Sequence, residues 1–232
     1  NALCLQCHES TYDRKEHHFH EINTESAQCV NCHMTGKTYM GNDFRRDHSF
    51  RIPRPDQSVA HGTSNACNGC HEGKSASWAA ENVEKWYGEE REHHFSDDIL
   101  KGLEGDGYSL VKLINNTAEP AIVRATGVEY LERFPLEVFE SELSNWARDS
   151  SGLVRLELAK FTYNLPLEYK AGIAGMLLKD ELRAVRLAAF RSLLLSYNEL
   201  SETSKKNWRS AEPEYLEFLL HNADFMYFSS II

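Results

Sequence analysis

Apolar positions in the second half of the chain recur at helical spacing. Val154, Leu158 and Phe161 mark one such stripe, and Val185, Leu187, Ala188 and Leu194 mark another. The stripes are themselves periodic. Val123-Arg124, Val154-Arg155 and Val185-Arg186 recur at one fixed interval, and Pro135-Leu136-Glu137 returns after the same interval as Pro166-Leu167-Glu168. Fixed self-similarity at this length predicts stacked pairs of antiparallel helices, with proline closing one helix and opening the next. Asp149 and Asp180 stand shortly before Arg155 and Arg186. Such carboxylates cap helices, pair with arginines of a neighbouring repeat, or simply face water. The tail carries Tyr215, Phe218, Phe225, Tyr227, Phe228 and Ile231-Ile232. That is too apolar for a free solenoid end, so it is expected to fold back on the last repeat or to meet another subunit.

The first half shows no comparable run. Gly36, Gly41, Pro53, Pro55, Gly62, Gly69 and Gly73 break it into short helices and loops. One helix is expected from about Ser75 to Tyr87, with Ser75 or Ser77 as cap and Gly88 as stop. Trp78 and Trp86 on it are expected to pack on a porphyrin or on the following domain, or to be ordinary core aromatics. The fold class expected is mainly α, with a loop-rich module over residues 1–95 and a helical repeat domain over 96–232. The repeats resemble the HEAT type, at a period shorter than its commonest length.

Cysteine usage explains how the first half can do without an apolar run. All six cysteines fall between Cys4 and Cys70, as Cys4/Cys7, Cys29/Cys32 and Cys67/Cys70, and each pair is followed directly by histidine: His8, His33 and His71. Two thiols at this spacing add across the two vinyl groups of haem, and the next residue offers an imidazole to the iron. A single Cys-x-x-Cys also suits half a zinc site or a redox dithiol. Three motifs out of three, with no spare cysteine, point instead to three covalently attached c-type haems. About two dozen residues per haem cannot build a conventional core, so the porphyrins are expected to serve as the core, burying apolar area at about 25 cal/mol per Å².

The chain has eleven histidines. Besides the three proximal ones they are His17, His18, His20, His48, His61, His93, His94 and His221. An iron held by two imidazoles has no open position and suits electron transfer. His17 or His20, His48 and His94 are the expected distal ligands. Met34 is a minor candidate, and His221, in an apolar helical stretch, is expected to be structural.

The segment from Cys29 to Gly88 resembles a group of bacterial multihaem c-type cytochromes. The likeness is carried by Cys29 to Met34, Tyr39-Met40, Arg45 to Asp56, Asn65 to His71, Trp78-Ala79 and Trp86 to Gly88. It also places the group's His-His-x-His element at His17, His18 and His20, and its histidine after Trp-Tyr-Gly at His94. The resemblance implies an electron carrier, assembled outside the cytoplasm and therefore periplasmic or extracellular. Similar proteins often carry a further haem motif upstream. The start at Asn1, without methionine or leader, reads as a mature or shortened product.

Net charge is −10. That argues against a nucleic-acid partner and for redox proteins with a basic docking face, other cytochromes among them. No apolar run is long enough for a transmembrane helix. Two further expectations stand beside the carrier. One is a haem oxidoreductase with an open iron, reducing nitrogen or sulfur oxyanions. The other is assembly into a homo-oligomer, filament or larger complex through a ligand donated across a subunit boundary.

Overall fold

The computed structural model describes residues 1–222. Phe225, Tyr227, Phe228, Ile231 and Ile232 of the aromatic tail lie outside these residues. Among the described residues the protein is mainly helical, with thirteen α-helices against a single two-stranded hairpin. It divides into two compact units, Asn1–Glu92 and a second beginning at His93.

In the first unit the elements are short. They are α1 (Lys15–His18), α2 (Cys29–His33), β1 (Gly36–Tyr39), β2 (Asp43–Arg46), α3 (Pro55–His61), α4 (Ala66–Cys70) and α5 (Ala76–Tyr87), with 3-10 turns at Cys4–Gln6, Ser10–Asp13 and Glu25–Ala27. Strands β1 and β2 pair antiparallel, Gly36 opposite Arg46 and Tyr39 opposite Asp43. Met40 and Gly41 turn the chain between them with positive φ. The Phe44 ring lies over Gly36, where a Cβ would fall 1.9 Å from it, so a larger residue there would displace that exposed ring. Helix α5 is the one expected from the sequence. The Ser75 hydroxyl accepts from the Trp78 N–H at its start, and Gly88, at φ 90°, ends it.

The buried hydrophobic side chains of this unit are Ala27 and Ala79. Tyr12, Ile22, Tyr39, Met40, Phe44, Phe50, Ile52 and Val59 are exposed instead. Ninety-odd residues arranged this way bury far too little apolar surface to offset the entropy of ordering them.

The second unit is built the other way. Its described helices are α6 (Phe95–Leu103), α7 (Gly107–Asn115), α8 (Ala121–Tyr130), α9 (Leu143–Trp146), α10 (Gly152–Phe161), α11 (Leu167–Leu177), α12 (Arg183–Leu193) and α13 (Glu202–His221). The core cluster runs from Leu110 to Leu219 and lies wholly within this unit. Helices α8, α10 and α12 begin at Ala121, Gly152 and Arg183, so the interval of the Val-Arg steps is also the interval of helix starts. Each of these helices packs on the next, and α13 packs on α12.

Their arginines make the joints. Arg124 pairs with Asp149, Arg155 Nε donates to Asp180 Oδ2 at 2.6 Å, and Arg186 pairs with Glu214 at 2.6 Å. Both aspartates also bond the chain just ahead of the next helix. Asp149 Oδ1 accepts from the Ser151 N–H, and Asp180 Oδ1 from the Leu182 N–H, at 2.8 and 2.9 Å. The cap of α10 is Ser151, and Leu182 at the start of α12 has no side-chain cap, so of the roles expected for these carboxylates the pairing with arginine is the one found. No described helix is long and apolar enough to cross a membrane.

Candidate functional site

Each Cys-x-x-Cys-His run closes one helical turn. His8 N–H donates to the Cys4 carbonyl at 3.0 Å, His71 N–H to the Cys67 carbonyl at 2.8 Å, and the second run is α2 itself. Such a turn sets residues i, i+3 and i+4 on one face, so each pair of thiols shares a face with its histidine. All six cysteines are unpaired. Burial pushes the thiols of Cys29, Cys32 and Cys67 up, and neighbouring thiols add to it: Cys4 beside Cys29, Cys67 and Cys70 beside Cys32, and Cys70 beside Cys67. A redox dithiol needs the opposite shift. Among the described residues no three His, Cys, Asp or Glu side chains are grouped to hold a metal ion, as a zinc site would require.

Cys7 is exposed, whereas its partner Cys4 is half-buried. The first run is a 3-10 turn over Cys4–Gln6, and Cys7 stands at its end, with its N–H donating to the Cys4 carbonyl at 3.1 Å. Cys4 lies beside Cys29. Cys70, at the last residue of α4, is exposed as well.

Two proximal histidines each face a second imidazole. The His17 and His33 ring centres lie 6.2 Å apart with planes 9° from parallel. The His20 and His71 centres also lie 6.2 Å apart, at 29°. A metal–imidazole bond of roughly 2 Å, with about 1.1 Å more from nitrogen to ring centre, separates two trans imidazoles by about 6.2 Å. The centre-to-centre distance matches that of two imidazoles on one metal, and both contacts are stacked ring pairs. The phenyl–indole stack of Phe19 on Trp86, by contrast, closes to 4.3 Å.

The hydrogen bonds of the rings suit this role. His33 Nδ1 lies 2.9 Å from the Arg51 carbonyl oxygen, and His20 Nδ1 bonds the His18 carbonyl. A carbonyl only accepts, so both rings carry their proton on Nδ1 and keep the Nε2 lone pair for a metal. Burial, reinforced by the charges of His33 and His18, lowers the His17 pKa from its ordinary value. His18 is different. Its Nδ1 accepts from the His20 N–H at 3.2 Å, which leaves the proton on Nε2, and Nε2 is buried with no hydrogen-bond partner.

The other candidates are placed differently. His8 is exposed and meets the edge of Tyr12 at 6.0 Å. His48 is exposed in the turn after β2, and His61 ends α3. Met34 follows α2, with its carbonyl bound by Arg46. His93 and His94 belong to the second unit. His93 Nε2 lies 2.9 Å from the buried Asp98. His94 caps α6: its Nδ1 accepts from the Ser96 N–H while Asp97 accepts from the His94 N–H. Ligation through Nε2 requires the other tautomer of His94. His221 is exposed at the last residue of α13. Trp78 meets His71 at 4.9 Å, and Trp86 meets Phe19.

Protein-family models, curated proteins and solved structures were compared with the chain. None matches.

Sequence reasoning missed Arg46. Its guanidinium donates to the carbonyls of Val30 and Met34 and to Asn31 Oδ1, each at 3.0 Å. It thereby satisfies the open end of α2 and fixes the second motif against the hairpin. Nothing in the spacing of Arg45-Arg46 marks it, because the partner carbonyls are set only by the fold.

Proposed function

We propose that the first unit is a three-haem c-type cytochrome module that relays electrons, and that the second is a HEAT-like repeat scaffold presenting it to partners. What supports this is one conjunction: two imidazole pairs at 6.2 Å, inside a unit whose buried hydrophobic side chains are two alanines. Cys4/Cys7, Cys29/Cys32 and Cys67/Cys70 would hold the three groups by thioether bonds. His33 with His17, and His71 with His20, would supply four axial nitrogens. His8 would hold the remaining iron, with His48 of the same unit the candidate for its other side. Haem bound in this way supplies a one-electron iron couple. The protein's part is to keep both faces ligated, to shield the groups from water and to hold them close together.

The acidic surface favours a redox partner with a basic face, other cytochromes included, or a further copy of the chain in an oligomer or filament. Thioether attachment implies a periplasmic or extracellular setting. The test is intact mass and a reduced-minus-oxidised spectrum of the native protein. Three added tetrapyrroles and a low-spin spectrum are expected. The bare polypeptide mass would sink the reading.

One observation favours a second reading. His8 faces Tyr12 and no imidazole at the 6.2 Å spacing of the other two. An iron there with an open face would make the protein a haem oxidoreductase. Carbon monoxide added to the reduced protein separates the two, since a spectral shift in one haem of three requires an open site.

A further inference from the structure

We propose that Phe19 and Trp86 are positioning residues whose ring stack turns the chain between His17 and His20, so that the two imidazoles serve two different irons. This rests on the bis-histidine reading and assigns a role to residues which that reading leaves unused.

The geometry poses a problem that the stack answers. His17 and His20 are three residues apart, and on an unbroken helix they would share a face. They do not act as such a pair. His17 faces His33, on α2, and His20 faces His71, just after α4. The chain changes direction between them: α1 ends at His18, and Phe19 adopts φ 55° and ψ 26°. That left-handed conformation is disfavoured for any residue with a Cβ.

The surroundings here are specific. The Phe19 ring lies on Trp86 at 4.3 Å with planes 3° apart, and Tyr87 meets it edge-on at 5.9 Å. The Tyr87 hydroxyl donates to the carbonyl of His17. The Phe19 N–H closes α1 on the Lys15 carbonyl at 2.8 Å. Trp86 and Tyr87 are the last two residues of α5, a capped twelve-residue helix and the longest in this unit. A firm helix end thus grips the turn from both sides, the ring at Phe19 and the backbone at His17.

The test uses the native haem-loaded protein and reads iron spin state by electron paramagnetic resonance, beside intact mass. Trp86→Ala and Phe19→Ala are expected to leave the haem mass unchanged and to convert up to two of the three irons from low to high spin. Trp86→Phe and Phe19→Tyr, which keep the stack, are expected to retain the wild-type spectrum. Should the alanine variants fail to mature, Phe19→Leu takes their place under the same criterion. A low-spin spectrum identical to wild type in the ring-removed variants overturns the proposal, even if their melting temperature falls, because that is the mark of packing alone. Wild-type protein at its bare polypeptide mass would instead overturn the haem reading itself, so the two failures are seen in different samples.

Discussion

Arg155 reaches forward to Asp180, 2.6 Å from nitrogen to oxygen, and the two side chains are 9% and 6% exposed. Desolvation of both charges is costly, so the pair is far more expensive to halve than to keep. Arg155→Ala is expected to destabilise the second unit by about 3–5 kcal/mol. Arg186→Ala removes a pair whose members are each 26% exposed, and it should cost about 1 kcal/mol or less. Urea titrations followed by circular dichroism check the order. Equal losses would mean that burial does not govern the ladder.

Acid should weaken the same joint. Burial alone would raise the Asp180 carboxyl, but hydrogen bonds from Arg155 and Leu182 and the charges of Arg155 and Arg186 outweigh it and hold it below its ordinary value. A carboxyl lowered in the folded state stabilises fully above its unfolded pKa of about 3.9 and loses that contribution as pH falls through the folded value. Between neutral pH and about pH 3, the wild-type urea midpoint is expected to fall further than that of Asp180→Asn. Parallel curves would assign acid sensitivity to other carboxylates.

The core of the second unit gives a separate measure. Leu158 is fully buried on α10, among Val154, Ala159 and Phe161. Leu158→Ala is expected to cost about 2–5 kcal/mol, the transfer of the removed atoms plus the cavity left behind. A loss under about 1 kcal/mol would mean that the repeats close around the gap.

The histidine run separates ligand from neighbour. His17→Ala and His20→Ala should each turn one haem high-spin and open it to carbon monoxide, with three haems still attached through their thioethers. His18→Asn should leave all irons low-spin, since the His18 ring meets His20 rather than a motif histidine. Loss of low-spin signal in His18→Asn would reassign the run.

The two units should also part company when haem is withheld. In full-length chain made without haem, limited proteolysis is expected to remove the segment Asn1–Glu92, because two buried alanines cannot hold it compact. The segment from His93 onward should persist and melt cooperatively. A protease-resistant first unit in that sample would mean that the polypeptide supplies its own core.

Much of the second unit was legible in the sequence because its physics is local. Apolar stripes, prolines and paired Val-Arg steps repeat at a constant interval, and the helices start at that interval. The caps of α5 were legible for the same reason, with Ser75 and Gly88 adjacent to what they cap. Long-range pairing was not. That His17 meets His33 and His20 meets His71 depends on a backbone reversal at Phe19, which no propensity of phenylalanine announces. The unequal cover of Cys4 and Cys7 was equally invisible, since the three motifs read alike. The hairpin between Gly36 and Arg46 was missed because its strands are exposed on both faces and show no alternation. His94 looked like one more ligand among many, yet its ring nitrogen accepts the N–H of Ser96 at the head of α6.

The forward step from each arginine gives the second unit an adjustable length. Arg124 bonds Asp149 through Nη1 and Nη2, and Arg155 bonds Asp180 through Nε and Nη2. Excising residues 125–155, one full period, would bring Arg124 to the place of Arg155, with Asp180 as its new acceptor. The chain can therefore gain or shed blocks of this size while every junction keeps a familiar mate.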